Sequence, residues 1–117
     1  MRDPIKDPGR ISHMLEMALL LDGEKSWHDI DDVRSDKVLF YGLSKMVEII
    51  GEAAYMISKE FKATHNELPW RQIEGMRHIL VHGYFTVSAD VLWDVVQNDI
   101  PALIPTLRSY LAAFTTD

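Results

Sequence analysis

Cysteine is absent from the 117 residues, which removes disulfide frameworks, thiolate zinc sites and cysteine nucleophiles together and suits a reducing compartment. Any catalysis must draw on other side chains. No apolar run approaches the roughly 18 residues that a membrane span needs. The sequence opens on the polar Met1-Arg2-Asp3-Pro4, so a cytoplasmic protein is expected. Glycine and proline are sparse, at six and five residues, and no collagen-like or low-complexity tract is present. Sustained alternation of β-branched residues is missing as well, which leaves a sheet little to be built from. Positive charge is in deficit. Against 12 Lys and Arg stand 18 Asp and Glu, a net charge of −6, and a uniformly acidic surface would repel nucleic acid.

What is present is an ordinary globular composition, 47% hydrophobic and 26% charged, in a length that suits one domain over residues 1–117. The charge is uneven: residues 1–58 sum to −4, residues 59–84 to +1 and residues 85–117 to −3. The middle segment also holds three of the five histidines, a contrast that chance scatter of solvated charges explains about as well as a functional patch.

Spacings of three and four among Ile11, Met14, Leu15, Ala18, Leu19 and Leu21 predict a first amphipathic helix, with Gly23 as its stop. The acidic stretch at residues 29–32 reads as a loop. Leu39, Leu43, Met46, Val47, Ile50, Ala54, Ile57 and Phe61 share one stripe and predict a second helix over residues 36–62. Lys45, Glu48, Glu52 and Lys59 take its other face, and Gly51 flanks the stripe where a neighbouring helix can approach closely. A third helix is expected from near Pro69 to near Gly83. A fourth is expected over residues 87–98 with Ser88 as N-cap. Pro101 then restarts the chain into a fifth, with Leu103, Ile104, Leu107, Tyr110, Leu111 and Phe114 on its apolar face. The predicted class is all-α, an antiparallel bundle of about five helices.

The third helix breaks the pattern. Taking Ile73 as the origin at about 100° per residue, Met76, Leu80, Val81 and Tyr84 define a core-facing stripe, and Arg77 falls inside it at about 40°. A guanidinium among apolar neighbours needs partners, because its charge cannot be removed. Taken alone, a structural arginine that reaches a rim or pairs with Glu48 or Glu52 is the simpler account. Glu74, His78 and His82 form a ladder on the other face, but no metal-binding signature accompanies it, and no metal or cofactor is expected. Arg77 and His82 stand about 140° apart on a continuous helix, too far to address one ligand from one chain. A two-fold axis beside the helix would instead bring the arginine of one subunit to the histidine of the other.

The run Leu68-Pro69-Trp70-Arg71-Gln72-Ile73-Glu74-Gly75-Met76-Arg77-His78-Ile79-Leu80-Val81-His82-Gly83-Tyr84-Phe85 resembles the signature segment of the HepT-like toxins of the HEPN ribonuclease superfamily. That family's motif, R-x4-H-x-Y, is filled here by Arg77, His82 and Tyr84. Upstream, Ile50-Gly51-Glu52-Ala53-Ala54 is similar to the family's second-helix motif. Downstream, Trp93, Asp99-Ile100-Pro101 and Leu103 are similar to its C-terminal pattern. The residue after the motif arginine is often Asn in the family and is His78 here, still polar.

The resemblance implies a metal-independent endoribonuclease, the toxin of a toxin–antitoxin system. It would act as a homodimer and be paired with an MntA-type nucleotidyltransferase antitoxin that uses ATP. It also implies catalytic roles for Arg77 and His82 and AMP transfer to Tyr84, with His78 as a candidate auxiliary proton donor or an ordinary exposed histidine. These roles agree with what metal-free RNA cleavage requires: a base for the 2′-hydroxyl, an acid for the leaving oxygen and a cation for the phosphate. The alternative is a non-catalytic helical module that binds a nucleotide or a nucleotidyltransferase partner and uses Arg77 as a phosphate anchor.

Overall fold

The computed structural model describes residues 6–78 and 89–114. All regular elements among them are helical, as the periodicity predicts. Helix α1 (Asp7–Glu24) carries proline in its first turn, where a missing N–H costs nothing, and fully buries Ile11, Met14, Ala18 and Leu21. It runs past the predicted stop. Gly23 lies inside its last turn, and the chain leaves through tight bonds such as Ser26 N–H to the Gly23 carbonyl at 3.2 Å. No glycine among the described residues takes a positive φ.

The acidic stretch expected to be a loop is instead the start of a short helix, α2 (Ile30–Ser35). The Asp29 carboxylate accepts from the Asp32 N–H at 3.0 Å, and the Asp32 carboxylate accepts from the Asp29 N–H at 2.9 Å. This reciprocal box, together with the burial of Val33, holds the turn.

The predicted second helix is two. Helix α3 (Lys37–Met56) begins at Asp36, whose carboxylate accepts from Leu39 N–H at 3.1 Å. It ends at Ile57, which adopts an extended ψ of 144°. Ser58 then caps α4 (Lys59–Thr64), accepting from Phe61 N–H at 3.1 Å. Asp7 of α1 stabilises the break by accepting from both the Ser58 N–H at 3.0 Å and its hydroxyl at 2.7 Å. Helix α5 (Trp70–Gly75) follows.

The fourth and fifth helices are contiguous where a restart at Pro101 was expected. Helix α6 (Ala89–Asp94) widens into a π-turn (Val95–Asp99) and continues as α7 (Ile100–Phe114). The widened turn comes immediately before Pro101, which has no N–H to give and whose ring crowds the preceding turn of a regular helix. Ser88, the expected N-cap, lies outside the described residues.

Helix α1 packs against α3 and α7, α3 also packs against α5, and α2 bridges α3 and α6. The expected apolar faces join one core, to which α3 gives Leu43, Val47, Ile50 and Ala54 and α7 gives Leu103, Leu107 and Tyr110, with α1 packed against both helices. No helix among the described residues is long and apolar enough to cross a membrane.

Candidate functional site

The site begins with a glycine. A Cβ on Gly51 would lie 2.8 Å from the Ile73 carbonyl oxygen and 3.0 Å from the Met76 carbonyl carbon, and would run into the Arg77 amide nitrogen. Only a bare Cα on α3 lets the end of α5 approach this closely. The close approach expected at Gly51 is therefore present, and it is made by the backbone that carries Arg77.

That backbone is no longer a regular α-helix. Met76 N–H bonds the Ile73 carbonyl at 3.0 Å and Arg77 N–H bonds the Glu74 carbonyl at 3.3 Å, both three residues back. A tightened turn of this kind advances by more than 100° per residue, so Arg77 departs from its expected azimuth.

The Arg77 side chain leans out to a rim. Its guanidinium carbon stands 3.6 Å from the centroid of the Tyr55 ring, and Tyr55 is 48% exposed. The expected partnership with Glu48 or Glu52 does not form. Glu48 is taken by Lys45 at 2.7 Å, and no carboxylate among the described residues pairs with Arg77. An aromatic face one turn beyond Gly51 on the same helix face has won over the carboxylates. The Arg77 Nε is buried without a hydrogen-bond partner, at a cost of about 1–3 kcal/mol.

Glu74, the lowest rung of the expected ladder, is engaged elsewhere: Lys62 donates to its carboxylate at 2.7 Å and to the Ala54 carbonyl at 3.1 Å. His78 is exposed on the turn after Arg77. His82 and Tyr84 lie outside the described residues.

The loop that delivers α5 is fixed from the far side. The His65 carbonyl accepts from Trp70 Nε1 at 2.7 Å and from the Tyr110 hydroxyl at 3.1 Å, and Tyr110 also donates to the Glu67 carboxylate at 2.6 Å. The hydrogen bond from Tyr110 holds Glu67 below the usual carboxylate range. Burial, and then the Glu67 carboxylate, push the Tyr110 phenol up. An open cleft of about 460 Å³ lies beside α5, with Gln72, Ile73, Met76, Asn98, Asp99 and Leu103 in its wall. Among the described residues no Lys or Arg lines it.

The sequence reading missed Tyr55 and Lys62. The signal for Tyr55 was available, since it follows the contact glycine by four residues on a helix.

An all-α bundle whose sequence continues after α5 with Arg77-x4-His82-x-Tyr84 is of the HEPN type. The sequence model of the family described as ribonuclease HepT-like matches residues 14–110, and the chain belongs to that family. It is 33% identical over 101 residues to a protein of Caldanaerobacter subterraneus subsp. tengcongensis named as a candidate RNase, covering 86% of this chain and 90% of that one. It is 44% identical over 73 residues to a candidate ribonuclease HepT of Thermococcus cleftensis, covering 62% and 66%. A Methanocaldococcus jannaschii protein, named both a gamma-glutamylcyclotransferase and a candidate RNase, is 36% identical over 93 residues; the match covers 80% of this chain and 42% of that one. No solved structure matches the chain.

Proposed function

We propose that this chain is a metal-independent endoribonuclease, the toxin of a type II toxin–antitoxin pair. It acts as a cytoplasmic homodimer in which Arg77 of one subunit and His82 of the other share a cleft. The observation that carries the reading is the Arg77 guanidinium, held at a rim by Tyr55 with no carboxylate paired to it among the described residues. A cation kept in that state is ready for a phosphate. Membership of a ribonuclease family makes an RNA phosphate the natural choice.

In the proposed reaction the 2′-hydroxyl gives its proton to a base, its oxygen bonds to phosphorus, and the 5′ oxygen leaves with a proton from an acid. His82 supplies one of these proton transfers, because an imidazole exchanges protons near neutrality. Arg77 holds the non-bridging oxygens in a bidentate fork as their charge grows. His78, exposed one residue further on, is the auxiliary proton donor in this proposal. Control comes from an MntA-type nucleotidyltransferase that moves AMP from ATP to Tyr84, adding an anion that competes with RNA for Arg77.

The test is incubation of wild-type and His82→Ala protein with total RNA in the presence of a chelator. Wild type should cleave fully, and the variant should lose about 10² to 10⁴ in rate. Equal cleavage at equal helicity would remove His82 from the mechanism, and activity restored only by zinc or manganese would remove metal independence. The net charge of −6 favours the alternative of a non-catalytic partner-binding module, which predicts no cleavage by the purified wild type.

A further inference from the structure

We propose that Tyr55 is a positioning residue for Arg77: its ring, in place of a carboxylate, orients the guanidinium so that the whole of its charge reaches an RNA phosphate. The inference rests on the reading of Arg77 as the phosphate-holding group.

Three observations converge on it. Gly51 fixes where the Arg77 backbone sits, and Tyr55, one turn further along α3, fixes where its side chain goes. The nearby acids do not compete. Glu48 is bound by Lys45 and Glu74 by Lys62, each at 2.7 Å, and Glu52 is exposed and forms no ion pair among the described residues. The Arg77 Nε is buried and unpartnered, so the side of the guanidinium available to a ligand is the one bearing its two terminal nitrogens. A carboxylate holding that group would fix its orientation and cancel its charge. A ring fixes the orientation of the plane and leaves the charge at +1. This distinction matters in a chain whose other charges sum against RNA, because one neutralised arginine would remove the cation on which phosphate binding depends.

The experiment compares Tyr55→Phe, Tyr55→Ala, Tyr55→Glu and Arg77→Ala in two assays. One is RNA cleavage by the full-length chain, and the other is binding of a single-stranded RNA oligonucleotide as salt is varied, with His82→Ala added to each so that nothing is cut. Tyr55→Phe should cleave within about two-fold of wild type, and Tyr55→Ala should lose roughly five- to thirty-fold. Tyr55→Glu should fall as far as Arg77→Ala. Both should flatten the slope of log affinity against log salt by about 0.7, the share of one cation on a single strand. Helicity and oligomeric state should be the same in all. Rescue by Phe together with charge cancellation by Glu is a pattern that a merely structural tyrosine would not give.

Wild-type cleavage by Tyr55→Ala beside an inactive Arg77→Ala would overturn the role of Tyr55 and leave the nuclease reading intact. A loss in Tyr55→Phe equal to that in Tyr55→Ala would assign the effect to the hydroxyl, and disassembly of Tyr55→Ala would make Tyr55 an interface residue. Either result overturns the proposal. Wild-type cleavage by Arg77→Ala would overturn the reading beneath it.

Discussion

A methyl group at position 51 is the smallest change with a large expected consequence. In an exposed helix, Gly→Ala gains about 1 kcal/mol from propensity. Here the added carbon meets backbone atoms of α5, which cannot rotate away as a side chain does. Overpacking of this kind costs about 1–3 kcal/mol or more, and the clash wins. Gly51→Ala should lower the melting temperature by about 4–8 °C. It should also reduce RNA cleavage beyond what the unfolded fraction explains, because the shifted atoms carry Arg77. A melting temperature raised by the substitution would mean that the Gly51 contact does not hold α5 against α3. Gly51 was legible in the sequence because a small residue beside an apolar stripe has few other uses. The partner of Arg77 was not. Azimuth places Glu48, Glu52 and Tyr55 all within reach and says nothing of which will win, and Lys45 had already taken Glu48.

At the scale of the element, the errors of the sequence reading share a cause. Apolar spacing passes unbroken through Ile57, and the break is made by polar atoms, the Ser58 hydroxyl and the Asp7 carboxylate 51 residues upstream. The helix at Ile30–Ser35 is likewise held by a capping box of two aspartates rather than by a long stripe. Pro101 suggests a restart because a regular helix has no N–H bond to draw from it, whereas here the turn before it widens to Val95–Asp99 and the chain stays helical through it. Periodicity thus located the faces, and local hydrogen bonding set the ends.

One long-range hydrogen bond of this kind gives a pH prediction. Glu67 has its folded pKa lowered from 4.5, chiefly by the hydrogen bond from Tyr110. Its contribution to stability is present above 4.5 and is lost as pH falls through the lowered value. Tyr110 has its pKa raised from 10.0, by burial first and then by Glu67. Its contribution is present below 10.0 and is lost as pH rises through the raised value. Tyr110→Phe keeps the ring among Phe61, His65 and Trp70 but removes the hydroxyl common to both shifts. Melting curves from acid to alkaline pH should therefore show shallower losses at both ends in the variant. Unchanged slopes would show that this hydrogen bond does not couple α7 to the loop before α5.

For the whole molecule, the proposed site raises the question of how an acidic chain would present Arg77 and His82, two residues of one short segment, to the same RNA phosphate. The separation of about 140° between Arg77 and His82 belongs to a continuous helix, and His82 lies outside the described residues. Arg77 leans to the α3 rim, and along α3 the large apolar residues Val38 and Tyr41 are 84% and 49% exposed, a face that a two-fold partner would cover. Mixed dimers separate the two arrangements. Arg77→Ala and His82→Ala subunits should each be inactive alone. After random exchange half of the dimers are mixed, and in each of these one of the two shared sites has both residues intact, so about a quarter of wild-type cleavage should return. If each site instead drew both residues from one chain, every site in every dimer would lack one of them. Cleavage would then stay at the level of the single variants, and the shared cleft would be refuted.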